Sequence, residues 1–153
     1  MTKYELYIID DVFANYYYGR ERMFFNLFKE YDEAKAKLKE IIDLQVQYIT
    51  KPIPSLRIHK LLMQNLQTRK DFYIHQGAYY IENKTGFARL EINERKMTVE
   101  SNGNTDTLLT FLEVLRKAEY NLFAFDLNYE QYGWIRPFKG RAFVQKEASN
   151  RHS

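Results

Sequence analysis

The sequence predicts a single α/β domain: a mixed sheet of about five strands flanked by helices. Three observations carry that expectation. Tyr4 to Ile9 (Tyr-Glu-Leu-Tyr-Ile-Ile) is a strand-like run whose end is apolar on both faces. From Asp11 to Leu66, apolar residues recur at helical spacing. From Asp71 the period shortens to strand-like runs separated by turn residues, and these are followed by a helix and one more apolar run. An early strand, a helical block, a meander, a helix and a last strand make one domain over residues 1–144. Residues 145–153 carry no large apolar side chain and are expected to be a disordered tail.

Each element has its own justification. Asp10 or Asp11 caps the first helix, since carboxylates suit the positive end of a helix dipole. That helix opens Asp10-Asp11-Val12-Phe13-Ala14-Asn15-Tyr16-Tyr17-Tyr18-Gly19-Arg20-Glu21, which holds more aromatic surface than one helix face can bury. At about 100° per residue, Phe13 and Tyr17 share one face, and Val12 and Tyr16 a neighbouring one. Either Gly19 breaks the helix, so that a short aromatic turn and a longer helix pack independently, or part of the aromatic face is left outside for a partner. Arg20 to about Tyr31 continues helical, with Met23, Phe24, Phe25, Leu27 and Phe28. Asp32-Glu33-Ala34 restarts a helix to Ile49 whose apolar arc holds Leu38, Ile41, Ile42, Leu44, Tyr48 and Ile49. Gln45 projects near the middle of that arc, so its amide is either satisfied inside the fold or faces something outside it.

Pro52 and Pro54 force a stiff extended link. Ser55 or Pro54 opens the next helix, Leu56 to Leu66. Short strands follow at Phe72-Tyr73-Ile74, Ala78 to Ile81, Phe87 to Ile92 and Met97 to Glu100, with Asn- and Gly-rich turns between them. Thr105 or Asp106 caps a helix through Leu115. Asn121 to Asp126 suits a buried strand after a helical crossover, and Tyr132 to Pro137 turns back over the surface.

Composition narrows the function. The chain has 153 residues, 45% hydrophobic content, 13 Tyr and 11 Phe against one Trp, a balance that favours tyrosine-rich interface area over a purely aliphatic interior. With no Cys, disulfides, thiol nucleophiles and cysteine metal sites are excluded. No apolar run nears the roughly 20 residues of a membrane span, and Met-Thr-Lys-Tyr-Glu lacks a signal-peptide core, so a cytoplasmic protein is expected. A net charge of +3 is too small to argue for nucleic acid.

Catalytic patterns are weak. No nucleophile elbow, Walker loop or Gly-x-Gly-x-x-Gly occurs, His59 and His75 have no metal-ligand spacing, and the Asp10-Asp11 pair reads as a cap rather than a Mg²⁺ site. Neither an enzyme, nor a cofactor, nor a metal is expected. Gly86 to Ile92 distantly resembles the aromatic strand of an RNA-recognition motif, but Arg89 and Ile92 replace its later aromatics. With the basic residues Arg136, Lys139 and Arg141 it leaves a small nucleic-acid-binding protein as the alternative. A protein-binding module fits better, because exposed Tyr and Phe in a small domain are the material of interface hot spots.

Four blocks, in register, resemble one family. They are Phe13-Ala14-Asn15-Tyr16-Tyr17-Tyr18-Gly19-Arg20-Glu21, Gln47-Tyr48-Ile49-Thr50-Lys51-Pro52-Ile53-Pro54, Phe111-Leu112-Glu113-Val114-Leu115-Arg116-Lys117 and Tyr132-Gly133-Trp134-Ile135-Arg136-Pro137. The chain is similar in these to the sporulation inhibitor of replication family, SirA, from the first strand to about Val144. The resemblance implies a non-enzymatic inhibitor of replication initiation in endospore-forming bacteria. Its implied partner is domain I, the N-terminal domain, of the initiator DnaA, bound as a 1:1 complex with a monomer. Family contact positions fall on Phe13 and Tyr17 in the first helix and on Gln45 and Tyr48 in the later one. Tyr16, Arg20, Pro52 and Pro137 fall in supporting positions. On this basis Phe13 is expected to fill an apolar pocket on the partner, with Tyr17, Gln45 and Tyr48 around it.

Overall fold

The computed structural model describes residues 1–135. Pro137, the basic end from Arg136 to Arg141 and the tail at 145–153 lie outside the described residues. The described residues form two compact units, one of Met1–Leu6 with Pro52–Tyr120 and one of Tyr7–Lys51 with residues 121–135. Each unit is assembled from two separate stretches of chain, which is why no linker or change of composition announces the division.

The first unit holds the meander. β1 (Thr2–Ile9) contributes its first half here. The unit continues with α4 (Ser55–Leu66), β3 (Phe72–His75), β4 (Ala78–Asn83), β5 (Gly86–Ile92), β6 (Met97–Gly103) and α5 (Asp106–Leu115). Strands run β3-β4-β5-β6-β1, each of these pairs antiparallel. Alternate residues Ala88 and Leu90 of β5 are wholly buried, as period-two patterning requires, with α5 packed on β5 and β6. The opposite alternation, Phe87 and Arg89, is half-buried. Phe87 leans on Tyr80 at 5.9 Å, and Arg89 Nε donates to Tyr80 Oη at 3.1 Å, which accounts for both residues of the RNA-motif-like strand within the sheet.

The second unit carries the end of β1, then α1 (Asp11–Tyr16), α2 (Arg22–Glu33), α3 (Ala36–Ile49), β2 (Thr50–Lys51), β7 (Leu122–Asp126) and β8 (Gln131–Trp134). β2 pairs antiparallel with Ile8 and Ile9 of β1, β7 pairs with β1, and β8 lies antiparallel to β7. Its core is aromatic. Tyr7 stacks on Phe28 at 4.3 Å, Phe28 on Phe125 at 4.9 Å, and Phe25 on Tyr132 at 5.1 Å. Phe24, Phe25 and Phe28 of α2 therefore point inward.

Eight strands pair among the described residues, where the sequence predicts about five. Six of the eight fall on strand-like runs of the sequence, and the two that hydropathy does not announce are β2, two residues long before Pro52, and β8, which carries Gly133 in what reads as a turn. One helix boundary also differs, and one of two open outcomes is decided. Asp32 and Glu33 close α2 instead of opening the next helix, since Ala34 is extended and Ala36 takes φ 53°. Gly19, at φ 87°, separates α1 from α2, so the aromatic turn and the longer helix are distinct elements.

Candidate functional site

The start of α1 is tied down through two adjacent carboxylates. Asp10 Oδ1 accepts from Val12 N–H at 3.0 Å, which makes Asp10 the cap. Asn121 Nδ2 donates to Asp11 Oδ1 at 2.6 Å. Only Ala14 of α1 is fully buried, because a six-residue helix has room for little more than one inward position. Phe13 and Tyr17 sit half-buried on the edge of the core, while Val12 and Tyr16 point to solvent.

Tyr17 forms the C-terminal cap of α1. Its N–H donates to Phe13 O at 3.0 Å, and its carbonyl accepts from Arg20 N–H at 2.7 Å. Its ring meets Phe24 edge-on at 5.7 Å and Tyr16 at 4.8 Å. The Arg20 guanidinium lies 5.6 Å from the Tyr16 ring and 5.2 Å from the Tyr17 ring, within cation–π range of both.

α3 supplies the opposite wall. Ile42 and Val46 are buried, and Ile49 packs at the flank of the core. Leu38, Ile41, Leu44 and Tyr48 are all more than half exposed, so the apolar arc read from sequence divides into an inward and an outward face. Gln45 lies on the outward face, exposed, with no hydrogen-bond partner among the described residues. Tyr48 is 75% exposed, and Phe13 meets it edge-on at 5.3 Å. At the far end of the α2–α3 pair, Tyr31 Oη donates to Asp43 Oδ1 at 2.8 Å, and that hydrogen bond raises the phenol above its ordinary range. Lys39 Nζ donates to Tyr31 O at 2.8 Å and stands over the same ring.

Between these elements lies an open cleft of about 440 Å³. Tyr17, Met23, Phe24, Leu27, Tyr48 and Ile49 give it apolar walls, and Asn26, Glu30 and Gln45 add polar groups. Three of the four contact positions expected from sequence, Tyr17, Gln45 and Tyr48, therefore line one hollow, with Phe13 braced against Tyr48 beside it. The hollow is on this chain. Arg20 and Tyr16 sit at its approach, exposed. Pro52 is exposed, belongs to the other unit, and does not line the cleft. Sequence reading missed the α2 wall, although Met23, Leu27 and Glu30 recur at i, i+4, i+7 and so share a face.

Among the described residues no three His, Asp or Glu side chains converge to hold a metal, and no helix is long and apolar enough to cross a membrane. The surface offered by α1, α2 and α3 is a shaped apolar hollow with a few hydrogen-bonding groups, which suits recognition of a side chain.

Residues 2–139 match the family described as sporulation inhibitor of replication protein SirA. A Bacillus subtilis (strain 168) protein named sporulation inhibitor of replication protein SirA is 36% identical over 146 residues, 92% of this chain and 97% of that protein. The chain belongs to the SirA family of sporulation inhibitors of replication.

Proposed function

We propose that the chain blocks replication initiation by binding domain I of the initiator DnaA at the α1–α2–α3 cleft. The observation that carries this is the cleft itself, where Tyr17, Gln45 and Tyr48 converge around an apolar hollow. An aromatic or branched side chain of the partner enters it, shielded by Tyr17 and Tyr48, while the Gln45 amide supplies a donor and an acceptor that fix register. Phe13 braces Tyr48 and adds contact area at the rim, in place of the inserted role expected from sequence. Inhibition by this route requires no chemistry. A monomer bound one-to-one in the cytoplasm, at the origin through DnaA, covers a face of domain I needed for productive assembly.

Calorimetry of the purified chain with isolated DnaA domain I tests this directly. Saturable one-to-one binding is expected, with Tyr17→Ala weakening it by about thirtyfold or more, the loss typical of a central aromatic. Absence of binding at high concentration removes the proposal.

A further inference from the structure

We infer that Glu21 is a positioning residue for the cleft, clamping the Gly19 turn to Trp134 and so fixing the Tyr17 wall. This rests on the reading of the cleft as the binding surface. Glu21 occupies the N-cap position of α2, yet it has helical backbone angles and its side chain makes no capping hydrogen bond. The carboxylate turns backward instead. Its Oε2 accepts from Gly19 N–H at 2.9 Å and from Trp134 Nε1–H at 3.1 Å.

The amides around it explain why the turn uses this acceptor. Tyr17, Tyr18 and Arg20 N–H all donate to backbone carbonyls, of Phe13, Asn15 and Tyr17 respectively. Gly19 N–H, at φ 87°, donates to the Glu21 side chain. Trp134 is a fixed anchor, 3% exposed and packed edge-on to Phe123 at 5.4 Å and to Phe24 at 6.0 Å. Phe24 in turn carries the Tyr17 ring. The half-buried carboxylate thus joins the turn that sets the Tyr17 backbone to the core that supports its ring. Among the described residues Glu21 forms no ion pair, so its role there is the acceptance of these two N–H groups, and such charge-assisted bonds are the stronger kind.

The test combines binding to DnaA domain I with the nuclear magnetic resonance signal of the indole N–H, a single peak because the chain has one Trp. Glu21→Ala is expected to shift the indole and Gly19 amide resonances and to weaken binding about tenfold. Glu21→Gln, which keeps an acceptor oxygen at the same reach, is expected to bind within about threefold of the parent. The Glu21→Ala/Tyr17→Ala double variant is expected to bind no more weakly than Tyr17→Ala alone, because Glu21 acts through Tyr17. Parent-like binding by Glu21→Ala, simple addition of the two losses, or an unmoved indole signal overturns the inference. Should Glu21→Ala not fold, a shifted indole and a loss of binding in folded Glu21→Gln overturn the acceptor account as well. Failure of the parent itself to bind removes the partner assignment, and the two resonances then decide the clamp by themselves.

Discussion

The ring of Phe13 meets the ring of Tyr48 edge-on at 5.3 Å, joining α1 to α3 beside the cleft. The two residues differ in exposure: Phe13 is half-buried against the core, whereas Tyr48 stands mostly in solvent. Phe13 therefore holds in place a side chain that would otherwise sample several rotamers, and ordering it in advance lowers the cost of binding. Phe13→Ala and Tyr48→Ala are each expected to weaken binding to DnaA domain I. The double variant is expected to lose less than the sum, with a coupling of about 0.5–1.5 kcal/mol as for other aromatic pairs. A double-mutant cycle by calorimetry measures it, and strictly additive losses would mean the contact has no part in binding.

Ile42 and Leu44 belong to one apolar arc in the sequence and to opposite faces of α3 in the structure. Ile42 is 3% exposed among the core aromatics, and Leu44 is 66% exposed. Urea unfolding is expected to show Ile42→Ala destabilised by about 2–4 kcal/mol, the transfer and cavity cost of a buried aliphatic. Leu44→Ala is expected to stay within about 0.5 kcal/mol of the parent. Comparable losses at both positions would contradict the outward face of α3.

The same helix shows where sequence reading stops. Periodicity finds an apolar stripe but does not say which part of it meets the core. At about 100° per residue Ile42 and Val46 share one side of the helix and Leu44 lies nearly opposite, so the arc is wider than one core-facing stripe, and it is the neighbouring α2 that decides which side of it is buried. The Gly19 break was legible, since a glycine after an aromatic run is a ready position for left-handed backbone. Of its two outcomes, only packing chooses. The α2 wall was hidden because Met23 and Leu27 stand in one apolar run with Phe24, Phe25 and Phe28, and the run alone does not separate the cleft-lining pair from the buried three. β8 was hidden for a different reason. It is four residues long, contains Gly133, and gains its strand character from pairing with β7 rather than from its own propensity. Of the expected contact positions that line the cleft, Tyr17 and Tyr48 lie in the resembling blocks, which contain the turn and the helix end that form it, and Gln45 lies just upstream of the second block.

Asp71 gives the first unit an acid-sensitive contact. Arg69 donates to both its carboxylate oxygens at 2.9 Å, and Asn83 Nδ2 donates to Oδ2 at 3.0 Å. Those bonds, Arg69 first, hold its carboxyl below the ordinary range. A depressed carboxyl contributes stability at pH values above its unfolded value and loses it as the pH falls through its folded value. The stability difference between the parent and Asp71→Asn is therefore expected to be steady near neutrality and to shrink at acid pH, below about 4. Denaturant unfolding of both proteins across that range checks the sign. A difference that grows on acidification would place the dominant interaction elsewhere.

Gly19 and Gly103 both have positive φ, at 87° and 94°, yet substitution should affect them differently. A Cβ at Gly19 would meet nothing within 4 Å, whereas one at Gly103 would lie 2.6 Å from Thr85 O and 2.8 Å from the Gly86 Cα, both backbone atoms. Gly19→Ala therefore incurs only the conformational cost of left-handed backbone, about 1 kcal/mol. Gly103→Ala adds a clash that neither neighbouring strand can relieve without shifting, and is expected to lose at least twice as much by urea unfolding. The functional order is expected to be the reverse. Gly19 sits two residues past Tyr17 and holds the Glu21 bond, so relaxing its φ rotates the turn that forms one wall of the cleft. Gly103 lies in the unit that contributes no residue to that cleft. Folded Gly19→Ala is thus expected to bind DnaA domain I more weakly than folded Gly103→Ala despite its smaller loss of stability. Binding that merely follows stability in the two variants would separate the Gly19 turn from the recognition surface.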